Sequence, residues 1–166
     1  MVQQLAFSLF PVMMIVAGIG DALSLRIPNW LNQFIFVAFF PLAWATGMPL
    51  DIFAFHFLTG VVLLATGFLL FSVNIFGGGD AKLLAAAGVW FGPWQVGPFL
   101  AQTAIAGGVL ALIVFIWARL SMSWEVHKGP VPNALANLRP RVPYGYAFAI
   151  GAILTFPSTW WMAAPV

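Results

Sequence analysis

The chain is divided into long apolar stretches, and this division limits the folds that are open to it. Proline, glycine or charged residues separate six stretches, which cover residues 4–20, 30–47, 52–76, 80–91, 94–120 and 144–162. A helix that crosses the ~30 Å hydrocarbon layer of a membrane needs roughly 20 mostly apolar residues. Most of the stretches approach or exceed this length, whereas residues 80–91 form only ~18 Å of helix. None shows the alternation of polar and apolar residues that is typical of membrane strands, so the pattern predicts helices.

The composition excludes a water-soluble globule and a disordered chain. Of the 166 residues, 63% are hydrophobic and only 6% are charged, whereas soluble domains carry about 25% charged residues. The sequence therefore predicts an all-α polytopic membrane protein with six transmembrane helices in a single domain over residues 1–166. Six Lys and Arg residues are too few to indicate a nucleic-acid partner, and membrane lipids are the expected surroundings.

The basic residues predict the orientation of the chain in the membrane. All of them lie in or flank connections on the same side of the six predicted spans, and they are Arg26, Lys82, Arg119, Lys128, Arg139 and Arg141. The positive-inside rule makes that side cytoplasmic, so both termini are expected outside. The connection over residues 121–143 is the sizeable polar segment and is expected to form a loop or an interfacial segment.

Four carboxylates are present, and two of them have ordinary explanations. Asp51 follows Pro49 at the start of the third span and is expected to be the N-cap of that helix. Glu125 lies in the polar connection and is expected to be solvated. Asp21 and Asp80 differ, because each adjoins an apolar run at the same predicted edge of the membrane. Ionisable groups in such positions are costly and usually face a cavity, a partner or a pathway.

Two interpretations of Asp21 and Asp80 remain open from the residues themselves. Both carboxylates can cap helices at the membrane edge, or they can form a catalytic pair that shares one proton. In such a pair the ionised carboxylate takes a proton from water, while the protonated one polarises a scissile carbonyl. The chain has no Cys and two separated His residues, so no metal site and no cofactor are predicted.

The residues around Asp80 suit a site that receives a peptide. Gly77, Gly78 and Gly79 precede it and allow another backbone to approach closely, although a flexible turn explains them equally well. Lys82 is interpreted as an interfacial anchor in preference to a charge partner.

Other conspicuous side chains have structural interpretations. His56 is expected to be a hydrogen-bonded packing residue of the third span. Pro28 and Asn29 are expected to shape and cap the turn into the second span. Tyr144 either approaches a substrate or anchors the chain at the interface, and these two interpretations stay open.

Two blocks of the sequence resemble the type IV prepilin peptidases, which are membrane aspartyl proteases with a G-x-G-D motif. In the first block Asp21 is followed by I-P-N over residues 27–29, and in the second a G-G-G-D-A-K-L sequence covers residues 77–83. A weaker match is V-P-Y-G over residues 142–145. A G-x-G-D motif is weak evidence when it stands alone. Its combination with the Asp and I-P-N block in a chain of six predicted spans is specific.

The resemblance implies that Asp21 and Asp80 are the catalytic pair of a prepilin peptidase in the bacterial inner membrane, acting on its cytoplasmic side. The implied substrates are prepilins or pseudopilins, whose basic leader is removed before assembly, and components of a pilus or secretion machinery are the implied partners. Larger relatives carry a cytosolic insertion with paired cysteines and also methylate the new N-terminus. This chain has a short first connection and no Cys, so methyltransferase activity is not expected. It therefore resembles the short, peptidase-only members that serve Flp-type tight-adherence pili.

Three other interpretations of the sequence stay open. Archaeal preflagellin peptidases are close in pattern. A small proton- or cation-relay subunit would also place carboxylates in a membrane, but it does not require the glycines or the I-P-N block. An inactive pilus assembly factor would keep the fold without the activity.

Overall fold

The computed structural model of the chain describes residues 2–24, 26–126 and 144–163. Its elements are α1 (Val2–Ser24), α2 (Asn29–Ala45), α3 (Leu50–Ser72), α4 (Gly78–Val126), α5 (Tyr144–Thr155), a 3₁₀ turn (Phe156–Ser158) and α6 (Trp160–Ala163). The described residues contain no strand. The predicted all-α class is therefore confirmed.

Helix α4 is central to the bundle and is broken at Gly92. It packs against α2, α3 and α5, while α1 packs against α2 and α5. Gly92 has φ 63° and ψ −177°, a backbone conformation that is essentially restricted to glycine. Residues 78–91 therefore form a short helix before the break, which falls between the fourth and fifth predicted segments. All residues from Leu83 to Gly92 are buried, so neighbouring helices surround this short helix.

Three helices are long and apolar enough to cross a membrane, namely Leu5–Ser24, Leu50–Ser72 and Gly78–Trp117. The third has 40 residues, and the break at Gly92 divides it into two shorter helices. Large apolar side chains such as Leu58, Val62 and Phe68 are more than half exposed on the outer faces, as expected where lipid replaces water. The chain is thus a helical membrane protein, and the count of six spans stays a prediction.

Hydrogen bonds from the side chains of His56 and Trp161 stabilise the backbone at the break in α4. A helical carbonyl normally accepts the N–H group four residues later, but Pro93 has no N–H to offer to Val89. His56 of α3 lies there instead, with its Nδ1 atom 2.8 Å from the Val89 oxygen. Trp161 donates its indole N–H to the Trp90 carbonyl at 2.9 Å. The prediction that His56 is a hydrogen-bonded packing residue is confirmed.

Several boundaries differ from the sequence predictions, for local reasons. Asp51 is not the N-cap of α3: Pro49 holds that position and Asp51 is exposed in the first turn. The polar connection does not begin at residue 121, since α4 continues to Val126. The last segment is interrupted after Thr155, where a 3₁₀ turn contains Pro157 and the helical hydrogen-bond ladder loses a donor.

Some predictions fall on residues outside the described ranges. One is the prediction that residues 127–143, with the basic residues Lys128, Arg139 and Arg141, form a loop. The others are the first two positions of the V-P-Y-G match and the expected exposure of the Glu125 side chain.

Candidate active site

Asp21 lies one turn before the end of α1, and its side chain crosses to α5. The residue is only 6% exposed, and its Oδ2 atom accepts the backbone N–H of Gly145 at 2.7 Å. Gly145 is the second residue of α5, so this N–H belongs to the first turn, where helical donors have no partner within their own helix. Asp21 therefore caps α5, a helix distant from it in sequence.

Gly145 fits this position because it has no side chain. A Cβ atom there would lie 2.8 Å from the Asp21 Cβ and 3.0 Å from its Oδ2. In the sequence, Gly145 stands out only as part of the V-P-Y-G match and is not a predicted site residue. That short match is the one sequence signal that points to Gly145. No local pattern around Asp21 indicates a partner so far along the chain.

Asp80 is the third residue of α4 and is partly buried. Its carboxylate accepts a hydrogen bond from the backbone of Gly77, the residue that precedes the helix. This is the acidic half of a capping box, in which the third residue of a helix reaches back to the N-cap N–H. A Cβ atom on Gly77 would lie 2.9 Å from the Asp80 Oδ2, so a side chain there would displace the Asp80 carboxylate from this position.

The two aspartates lie at the same end of the bundle, because Asp21 contacts the first turn of α5 and Tyr144 of that turn lies beside Phe76 in the loop before Asp80. The first turns of α4 and α5 each present backbone N–H groups to one of the two carboxylates. Helix N-termini carry a partial positive charge that favours anions. Capping and pairing are thus compatible interpretations, because the carboxylates that cap two helices also lie at the same end of the bundle.

The I-P-N block and the glycine block pack against each other. A Cβ atom on Gly79 would lie 3.4 Å from the Ile27 Cβ and 3.6 Å from the Ile27 backbone N and O. The Gly79 carbonyl accepts the Asn32 side-chain amide at 3.2 Å. Asn32 is buried. It was not predicted to be a site residue, because in the sequence it is one amide inside an apolar run.

The remaining site candidates surround these blocks. Pro28 is the N-cap of α2, with an extended backbone and no side-chain capping bond. Asn29 is the first residue of α2 and not its N-cap. Its Oδ1 atom accepts a hydrogen bond of 2.9 Å from the Lys82 ammonium group. Gly78 lies beside the Phe71 ring.

Tyr144 lies between the glycine block and α5. Its ring centroid is 6.1 Å from that of Phe76, and it is 38% exposed. Phe76 directly precedes Gly77 in the sequence, so the two rings join the loop before Asp80 to the helix that Asp21 caps. Contact with a substrate and anchoring at an interface both remain open for Tyr144.

No group of three or more His, Cys, Asp or Glu side chains that could hold a metal ion occurs within residues 2–24, 26–126 and 144–163.

Comparison with known proteins gives one match. The family model described as the type IV leader peptidase family matches residues 8–121. This range includes both aspartate blocks and ends before Tyr144 and Gly145. No curated protein and no solved structure matches the chain.

Proposed function

Because this chain belongs to the type IV leader peptidase family, we propose that Asp21 and Asp80 are the catalytic pair of an aspartyl endopeptidase. The family itself implies a leader peptidase-type protease activity. The observation that carries the proposal is that both aspartates lie at one end of the bundle, where Asp21 accepts the Gly145 N–H and the adjoining Tyr144 ring contacts Phe76 in the loop before Asp80.

The proposed reaction is hydrolysis by an activated water molecule. One carboxylate removes a proton from the water, whose oxygen bonds to the scissile carbonyl carbon. The other carboxylate is protonated and donates a hydrogen bond to the carbonyl oxygen. When the C–N bond breaks, the leaving nitrogen takes a proton from the carboxyl group that had deprotonated the water, so the products are a leader with a new carboxylate and a chain with a free amine.

The positions of the two aspartates suit this chemistry. The buried Asp21 is held by a backbone N–H at 2.7 Å, and Asp80 is held by the backbone of Gly77. Fixed donors of this kind keep both carboxylates oriented before a substrate arrives, which reduces the reorganisation that the reaction requires. An extended peptide would approach from the side of Asp80, which is partly buried and has glycines next to it.

The proposed substrates are type IV prepilins or pseudopilins, cleaved at the cytoplasmic face of the bacterial inner membrane. The distribution of Lys and Arg over the predicted spans supports this side, and components of pilus or secretion machinery are the proposed partners. We assign the chain to the short, Flp-type members without methyltransferase activity, because its first connection is brief and the sequence has no cysteine. The relay-subunit and preflagellin alternatives are not favoured by the family match.

Cleavage of a prepilin-like substrate by the purified chain in lipid vesicles tests the proposal. Asp21→Asn and Asp80→Asn are each expected to abolish leader removal, because both roles need a carboxyl group. Asp51→Asn is the matched control, since that carboxylate is exposed in the first turn of α3. Full processing by either Asp21→Asn or Asp80→Asn would remove that residue from the mechanism. A wild-type chain that inserts but leaves the substrate intact would favour an inactive assembly factor.

A further inference from the structure

A groove separate from the aspartate pair opens between α2, α3 and α4. Its volume is about 490 Å³, within the range of roughly 300–1,000 Å³ that small-molecule sites occupy. One end is lined by Asn29, Asn32, Gln33 and Lys82, and the body by apolar residues that include Val61 and Leu64. The groove thus combines a polar, cationic end with an apolar body.

The groove lies on the face of α4 that points away from Asp80. Lys82, Ala85 and Ala86 are the α4 residues that line it. Lys82 follows Asp80 by two positions, which rotates its side chain by roughly 200° around the helix axis. A peptide bond held between the two aspartates would therefore not reach this groove, which argues for an occupant other than the cleavage site of a substrate.

The walls of the groove belong to surfaces that lipid covers. Val61 and Leu64 of α3 are 46% and 49% exposed, and they lie on a helix long and apolar enough to cross a membrane. An occupant would therefore enter from the bilayer and place an apolar chain against these residues.

The polar end is suited to an anionic headgroup. Lys82 is exposed and gives one N–H to Asn29, and an ammonium group has two more donors. No carboxylate is found among the described residues that line the groove. Asn32 is 4% exposed, and its Oδ1 atom has no hydrogen-bond partner. A ligand with both an acceptor for Lys82 and a hydroxyl donor for an amide oxygen would complement this end.

We infer that the groove is a binding site for one anionic phospholipid with a hydroxyl-bearing headgroup, of the phosphatidylglycerol type. The phosphate binds Lys82, the headgroup hydroxyls lie at the amide side chains, and an acyl chain lies along Val61 and Leu64. The site is independent of peptide hydrolysis. Because Asn32 also donates to the Gly79 carbonyl, the bound lipid contacts a residue that holds the glycine block in place.

Lipid selectivity in the absence of any substrate tests this inference. The purified chain is placed in phosphatidylcholine vesicles that contain a trace of spin-labelled phosphatidylglycerol or spin-labelled phosphatidylcholine. The fraction of immobilised label is then measured by electron paramagnetic resonance. We expect about a fivefold preference for phosphatidylglycerol, the size that one lysine near a membrane surface provides. Lys82→Gln should remove most of this preference and Lys82→Arg should retain it.

Two matched controls separate the groove from the general surface. Arg119→Gln removes another exposed cation of α4, outside the groove, and should leave the preference unchanged. Val61→Trp fills the groove and should lower binding, whereas Val62→Trp adds the same ring at a 54% exposed position outside it and should not.

Three results would overturn the inference. These are equal immobilisation of the two lipids by the wild-type chain, an equal loss of preference in Lys82→Gln and Arg119→Gln, and unchanged selectivity in Val61→Trp. If Val61→Trp keeps the selectivity but blocks leader cleavage, the occupant is the substrate and the lipid site is wrong. Since the selectivity measurement uses no peptide, its failure is distinguishable from failure of the proposed peptidase function.

Discussion

The backbone N–H of Gly145 donates a hydrogen bond of 2.7 Å to the Asp21 carboxylate, across 124 positions of sequence. This contact joins the end of α1 to the first turn of α5. It fixes the orientation of the Asp21 carboxylate, and it makes the start of α5 part of the candidate active site although the family match ends at residue 121.

Gly145→Ala is expected to lower the rate of leader cleavage by about 10- to 100-fold, since displacement of a catalytic group by ~1 Å can cost that much. The new Cβ atom would lie 2.8 Å from the Asp21 Cβ, so the carboxylate must move. Steady-state kinetics should show the loss mainly in kcat. Gly20→Ala is the control, because a Cβ atom at Gly20 meets nothing within 4 Å. Equal activity of the two variants would show that the Asp21–Gly145 contact does not position the carboxylate.

Gly92→Ala is expected to destabilise the folded chain by about 1–3 kcal/mol, the usual cost of a sparsely populated backbone conformation. Gly92 has φ 63°, and a Cβ atom there would lie 2.5 Å from the His56 Nε2. Unfolding in mixed detergent micelles measures the change. Gly108→Ala in the same helix has open space around its Cβ and should gain about 0.5–1 kcal/mol. If both variants were stabilised, the break in α4 would not depend on glycine.

His56→Phe is expected to cost about 1–3 kcal/mol of stability, because it leaves the buried Val89 carbonyl without a donor. The ring remains, so its stacking on Phe39, with centroids 5.9 Å apart, is largely kept. The same unfolding assay applies. Thr66→Val is a suitable control on α3, since its exposed hydroxyl bonds only to its own helix at Val62 and the change should stay within about 0.5 kcal/mol. A stable His56→Phe chain would mean that the Val89 carbonyl has another donor.

Trp161→Phe is expected to destabilise the chain more than Trp160→Phe does. Trp161 is fully buried and donates to the Trp90 carbonyl at 2.9 Å, whereas no indole hydrogen bond is found for Trp160 in the part of the chain that the structure describes. The loss for Trp161→Phe should be about 1–3 kcal/mol. Thermal unfolding followed by the fluorescence of the remaining tryptophans compares the two variants, and the reverse order would contradict the assigned hydrogen bond.

The class of fold and the candidate catalytic residues were open to prediction because their signals are local. Continuous apolar runs with few charges specify helices in a membrane, whatever the order in which those helices pack. The shortness of the segment at residues 80–91 was visible from the Gly92-Pro93 pair that ends it, because proline and glycine disrupt helices through their own geometry. Asp21 and Asp80 stood out because carboxylates are rare in such a chain and each lies in a distinctive block.

Only the tertiary structure decided which groups meet. The Gly92-Pro93 pair in the sequence marks the end of a segment, but it does not show that His56 donates to the Val89 carbonyl. Likewise, the sequence does not show that Gly145 contacts Asp21 or that Asn32 contacts Gly79. These partners are 33 to 124 positions apart, and no periodicity extends over such separations. Local chemistry determined which polar groups in an apolar bundle need a partner, because an unpaired group there is costly. The packing of the helices selected the partner, because that choice depends on which faces come together in space.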